Sequence, residues 1–189
     1  MRVCCTSAIA LVLASFSAHP ALSESAFAAQ WAELADRCIG HLQGKEIVLD
    51  GMLSESVTKS PDGTRTGSVV RFPHDTYLGY GVTADGSRIP RAHCGLFTSE
   101  GVDDATFAET EASFERLAPT FAALGMNDLG TGTMSATARF HTFGVMAEPR
   151  CAVTSSLRVE TPPGKAIFPV FSTEVTGPGC TKLYVEAAG

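Results

Sequence analysis

The chain has 189 residues, of which 44% are hydrophobic and 18% charged, and it carries a formal net charge of −6. That length and apolar content suit one domain with a real core. The acidic balance argues against nucleic acid or anionic lipid as a partner, because both recruit basic patches.

Met1 and Arg2 open the chain, and the uncharged, mostly apolar run from Val3 to Ala18 follows. After His19-Pro20, the triplet Ala21-Leu22-Ser23 offers small residues of the kind a signal peptidase reads. The run is too short for a membrane span, so residues 1–23 are expected to be a cleaved secretory signal. Residues 24–189 are then expected to form a single exported domain, soluble and periplasmic or secreted. No later stretch has the uncharged length of a transmembrane helix.

Residues 24–43, "ESAFAAQWAELADRCIGHLQ", place Phe27, Trp31, Leu34, Cys38 and Leu42 at steps of four, three, four and four. This is one stripe down a helix, with Ser25 to cap its start and Gly44 to close it. From Glu46 the period changes. "EIVLDGML" reads as a strand, the polar residues 54–66 as a mobile hairpin tip around Pro61-Asp62-Gly63, and "SVVRF" as the returning strand. "TYLGYGV" and "SRIPRAHCGLF" follow as a second pair around Ala84-Asp85-Gly86.

A second helical segment is expected from Asp103, with acids loading its positive end. Thr106 and Glu109 have capping-box spacing, and Phe107, Phe114, Leu117, Phe121 and Leu124 mark a face that ends at Gly125. Pro119 removes a backbone donor, which predicts a kink or two short helices. Phe114, Leu117 and Phe121 are expected to share one core with Trp31. "TGTMSATARFHTFGVM" reads as one alternating strand. It has Met134, Ala136, Ala138 and Phe140 on one side and Ser135, Thr137, Arg139 and His141 on the other, solvated side. "CAVTSSLRVE", "AIFPVFSTEV" and "CTKLYVE" predict a three-strand meander. Two helix-then-strands halves, 24–97 and 103–186, are visible without sequence repetition. The whole predicts an α+β fold, with two main helical segments packed on a largely antiparallel, disulfide-bonded sheet.

Four cysteines remain beyond the signal: Cys38, Cys94, Cys151 and Cys180. An even count in an exported chain points to disulfides. No C-x-x-C pair is present, so neither a thioredoxin-like site nor a zinc ribbon is written locally. The meander favours Cys151–Cys180, which leaves Cys38–Cys94. His93 adjoins Cys94, but neighbours on a strand point to opposite faces, so the pair makes neither a catalytic dyad nor a shared metal site.

Gly79-Tyr80-Gly81-Val82-Thr83-Ala84 fits a loose dinucleotide pattern without the helix that mechanism needs. No nucleophile elbow, phosphate loop or metal motif appears. No cofactor, catalytic residue or metal ligand is therefore assigned. His74, Asp75, Tyr77 and Tyr80 form the one candidate ligand-binding cluster, since two aromatic faces with polar tips adjoin an acid and an imidazole. His41 near the end of the first helix suits the negative end of its dipole. The expected function is non-catalytic binding of a small ligand or an extracytoplasmic protein. One rival is a small hydrolase whose histidines and acids converge from separate strands. Another is a metal-binding protein using His74, His93 and His141.

Overall fold

A computed structural model describes residues 25–61, 63, 65–83, 92–161 and 166–180. The first helix, α1 (Ala26–Leu42), starts where the Ala28 amide donates to Ser25 Oγ at 3.2 Å. It ends where Gly44 takes φ +78°, a conformation that favours glycine. All five stripe residues, Phe27, Trp31, Leu34, Cys38 and Leu42, are buried against the sheet. α2 (Asp104–Arg116) is capped by Asp103, whose carboxylate accepts from the Thr106 amide at 2.8 Å. Glu109 does not complete a capping box. It accepts the Ser25 amide at 3.0 Å and so ties α2 to the start of α1. Pro119 stands in the first turn of a separate short helix, α3 (Ala118–Ala123), where its missing N–H costs nothing.

Among the described residues, eight antiparallel strands form one sheet: β1 (Ser54–Lys59), β2 (Arg65–Phe72), β3 (Thr76–Thr83), β4 (Ala92–Thr98), β5 (Asn127–Ser135), β6 (Ala138–Glu148), β7 (Cys151–Glu160) and β8 (Phe168–Thr176). Their spatial order is β1-β2-β3-β4-β8-β7-β6-β5. Each half of the chain thus contributes helix and a four-strand meander, and the last strands of the two meanders pair at the centre. The fold is α+β. Its core lies between the helices and one sheet face, around Val70, Leu78, Leu96, Leu157 and Phe171. Phe114 is its hub, with the rings of Phe121, Phe143 and Phe171 at centroid distances of 5.7, 5.7 and 6.0 Å.

Three expectations change. Residues 46–53 form no strand. Ile47 and Leu49 pack on the core, but Gly51 turns the chain at φ +82°, and Arg37 Nη1 donates to the Val48 and Asp50 carbonyls at 2.6 and 3.3 Å. The first strand is instead the polar 54–59, within the expected mobile tip, and it pairs with β2 from Ser54↔Arg71 to Lys59↔Thr66. It is an edge strand exposed along its whole length, so apolar alternation is not required of it. The run expected as one strand from 131 to 146 breaks at Ala136-Thr137, where the Thr137 amide donates to Ser135 Oγ at 3.2 Å. Arg139 and His141 do share a face, but it is the face under α2 and not a solvated one.

Cys38 is bonded to Cys94 and Cys151 to Cys180, with Cα separations of 5.3 and 4.7 Å. The second pair forms because β8 ends opposite the start of β7, and the turn through Gly177 returns Cys180 to Cys151. Residues 1–23, the turn at 84–86, most of the turn at 161–165 and the strand expected after Cys180 lie outside the described residues.

Candidate functional site

Among the described residues, the helices cover one sheet face and leave the other bare. On that bare face, pairing sets side chains in rows across the strands. One row runs Val69, Gly79, Gly95, Ser172, Ser156, Thr142. Two adjacent places in it, Gly79 on β3 and Gly95 on β4, carry no side chain. The row above holds Arg71, Tyr77 and Phe97, and the row below holds Gly67, Gly81, His93 and Glu174. The result is a groove of about 710 Å³, floored by glycine backbone at the centre of the sheet. That volume lies in the range of small-molecule sites.

Each wall has a local cause. Tyr77 and Phe97 stack with centroids 5.3 Å apart and planes 10° from parallel, and Arg71 lies over Tyr77 at 5.9 Å. The edge of Phe97 leans over the floor, so a Cβ added to Gly79 would meet Phe97 Cε1 at 3.7 Å, an ordinary contact. At Gly95 a Cβ would stand 2.9 Å from the Phe171 carbonyl oxygen, so glycine is required there. His93 folds over Gly81, its Cε1 2.9 Å from where a Cβ would be, and fills that gap itself. Glu174 is the Cα partner of His93 across β4 and β8. Burial raises the Glu174 carboxyl above its ordinary range. Burial, reinforced by the charge of His41, lowers the His93 imidazole. The groove therefore offers a floor of glycine backbone, an aromatic wall, an imidazole biased toward its neutral form, and a half-buried carboxyl.

The four residues singled out in the sequence are not gathered into one pocket. His74 and Asp75 occupy the tight β2–β3 turn with φ +54° and +51°, and His74 is exposed. Asp75 braces the next loop, accepting the Ser99 and Glu100 amides at 3.0 and 2.7 Å and the Ser99 hydroxyl. Burial alone would raise its carboxyl, but these hydrogen bonds outweigh burial and hold it low. Tyr77 lies on the bare face, stacked on Phe97, which lines the groove. Tyr80, three residues on, points to the helix face, where it meets the His41 ring at 6.0 Å and donates to Glu55 Oε1 at 3.4 Å. Tyr80 is also one of the residues that line the groove. Gly79, Gly95, Phe97, His93 and Glu174 were not singled out together, because strand register alone makes them neighbours.

A second, smaller cleft of about 490 Å³ lies between α2 and the β5–β6 hairpin. There His141 Nε2 is 2.9 Å from Asp128 Oδ1, with its ring against Phe114 and Phe143. The Gly130 amide, and then His141, hold the Asp128 carboxyl below its usual range. This is a histidine–carboxylate pair, but no hydroxyl or thiol among the described residues is hydrogen-bonded to the ring. Cys94 is bonded to Cys38 and faces away from His93, so it supplies no nucleophile. His93 and His141 lie on opposite sides of the sheet and cannot ligate one ion. Among the described residues no three His, Cys, Asp or Glu side chains gather as metal ligands.

No protein-family model matches this chain, and no curated protein matches it. Among solved structures, the Saccharomyces cerevisiae Ran-binding protein Mog1p is 13% identical over 65% of this chain and 77% of its own, with a TM-score of 0.33. A point mutant of the protein Mog1 is 12% identical over 66% and 78%, again with a TM-score of 0.33. At that level the likeness carries nothing about ligand or partner. Two disulfides fit a protein of an oxidising, extracellular compartment, and no helix among the described residues is long and apolar enough to cross a membrane.

Proposed function

We propose that the chain is an exported, non-catalytic binding protein that takes a small molecule into the glycine-floored groove on the bare sheet face. The observation that carries this reading is the paired absence of side chains at Gly79 and Gly95, between Tyr77–Phe97 on one side and His93–Glu174 on the other. A sheet face left only to solvent has no need of a gap two strands wide walled by stacked rings. A few polar groups set beside an aromatic wall in a concave site are the usual make-up of a ligand site. Residues 1–23 would deliver the chain to the compartment in which its disulfides form.

Amide NMR spectra of the disulfide-intact protein, titrated with a set of planar ring compounds, test this. The expected shifts cluster at Gly79, Gly95, Phe97 and Ser172. Shifts confined to Asp128 and His141, or none anywhere, would overturn the reading. The rival, a small hydrolase, is favoured by the His141–Asp128 pair alone, and a catalytic base without a bonded nucleophile accounts for half of such a mechanism.

A further inference from the structure

Resting on the groove as the binding site, we infer that its ligand is a cation: a flat ring carrying a protonated amine, with the ring over Gly79 and Gly95 against Phe97 and the ammonium on Glu174. Three features of the groove converge on this chemistry.

The first is shape. The floor is bare backbone one residue wide along each of two adjacent strands, and the wall beside it is Phe97, backed by the stacked ring of Tyr77. A planar group fits such a slot, lying on peptide planes and meeting an aromatic edge. The second is charge. Glu174 is the acid among the groove's described lining residues, and no ion pair or hydrogen bond to another described residue engages it. Its cross-strand neighbour His93 does not hydrogen-bond to it. Lys59, the cation among the groove's described lining residues, stands on β1, with β2, β3 and β4 between it and β8, and no ion pair joins it to Glu174. Arg71, at the aromatic end, is taken up by Tyr77 and by Asp75, 3.9 Å away. A half-buried carboxylate without a partner is costly to keep and is relieved by an ammonium donor from outside. The third is spacing. Gly95 is two residues from His93, roughly 7 Å along the strand, and Glu174 lies beside His93. An amine carried two or three bonds from a ring reaches from the floor to that carboxylate. The net charge of −6 also favours the approach of a cation over an anion.

Three probes that share one ring and differ in charge separate this inference from the groove itself: tryptamine (cation), skatole (neutral) and indoleacetate (anion). Each is titrated by NMR into the wild type and into Glu174→Gln, with the thermal transition recorded to show that the variant is folded. Tryptamine should bind roughly tenfold or more tighter than skatole, with indoleacetate weakest. Glu174→Gln should abolish the tryptamine advantage, bringing the tryptamine and skatole affinities together. Equal binding of tryptamine and skatole to the wild type, or an advantage that survives in Glu174→Gln, would overturn the cation inference while leaving the groove as the site. Failure of all three to shift the groove resonances would overturn both.

Discussion

Cys38, on the buried stripe of α1, is bonded to Cys94 on β4, so the helix is stapled to the middle of the sheet. His93, the next residue, emerges through the opposite face into the groove. The staple thus fixes the strand that carries the groove's imidazole and, two residues further on, its glycine floor. Replacing both cysteines with serine should destabilise the domain by about 4 kcal/mol in the chain-entropy model for a loop of this length. Urea denaturation checks the value. An unchanged midpoint, or free thiols in the denatured, unreduced protein, would show that the bond does not form.

Phe114 touches four rings from α3, β6 and β8, counting His141 at 5.6 Å. Phe114→Ala should cost roughly 3–5 kcal/mol, the range for deleting a buried phenyl ring. It should also loosen His141, whose ring packs on it. Denaturant midpoints measure the first effect, and the His141 ring resonances the second. A midpoint equal to that of the wild type would mean that α2 does not face the core.

Glu174 predicts a stability that runs against its proposed role. Burial raises its carboxyl in the folded protein. The associated stability is therefore fully present below the ordinary value of 4.5 and is lost as pH rises through the folded value. At neutral pH the carboxylate is a net cost, and Glu174→Gln should raise the melting temperature there. The difference should fade as the pH is lowered toward 4.5. Thermal melts across that range decide the matter. A variant less stable than the wild type at neutral pH would mean that Glu174 has a stabilising partner.

The helices were legible in the sequence because burial on one side writes a period of 3.6. Phe27, Trp31, Leu34, Cys38 and Leu42 spell α1, and Pro119 marks the break between α2 and α3. The disulfide pairing was legible because the meander put Cys151 and Cys180 at adjacent strand ends. The polar edge strand β1 was not, since a strand exposed on both faces has no alternation to read. Nor was the β5–β6 turn, which is made by Ser135 and Thr137 without glycine or proline. The groove was hidden for a different reason. Gly79 and Gly81 looked like a failed nucleotide motif, and only the register that aligns Gly79 with Gly95 turns separate glycines into one floor.

Binding in the groove depends most directly on what fills that floor. A Cβ at Gly79 has ordinary contacts only, so Gly79→Val should fold, and should gain roughly 0.5–1 kcal/mol by removing a mid-strand glycine. Its methyl groups would occupy the slot beside Phe97. Binding of tryptamine to Gly79→Val, measured by NMR beside the wild type, is the decisive comparison. The variant should be as stable as the wild type or more so, with a groove that no longer responds to tryptamine. Undiminished binding by the folded variant would contradict binding in the groove.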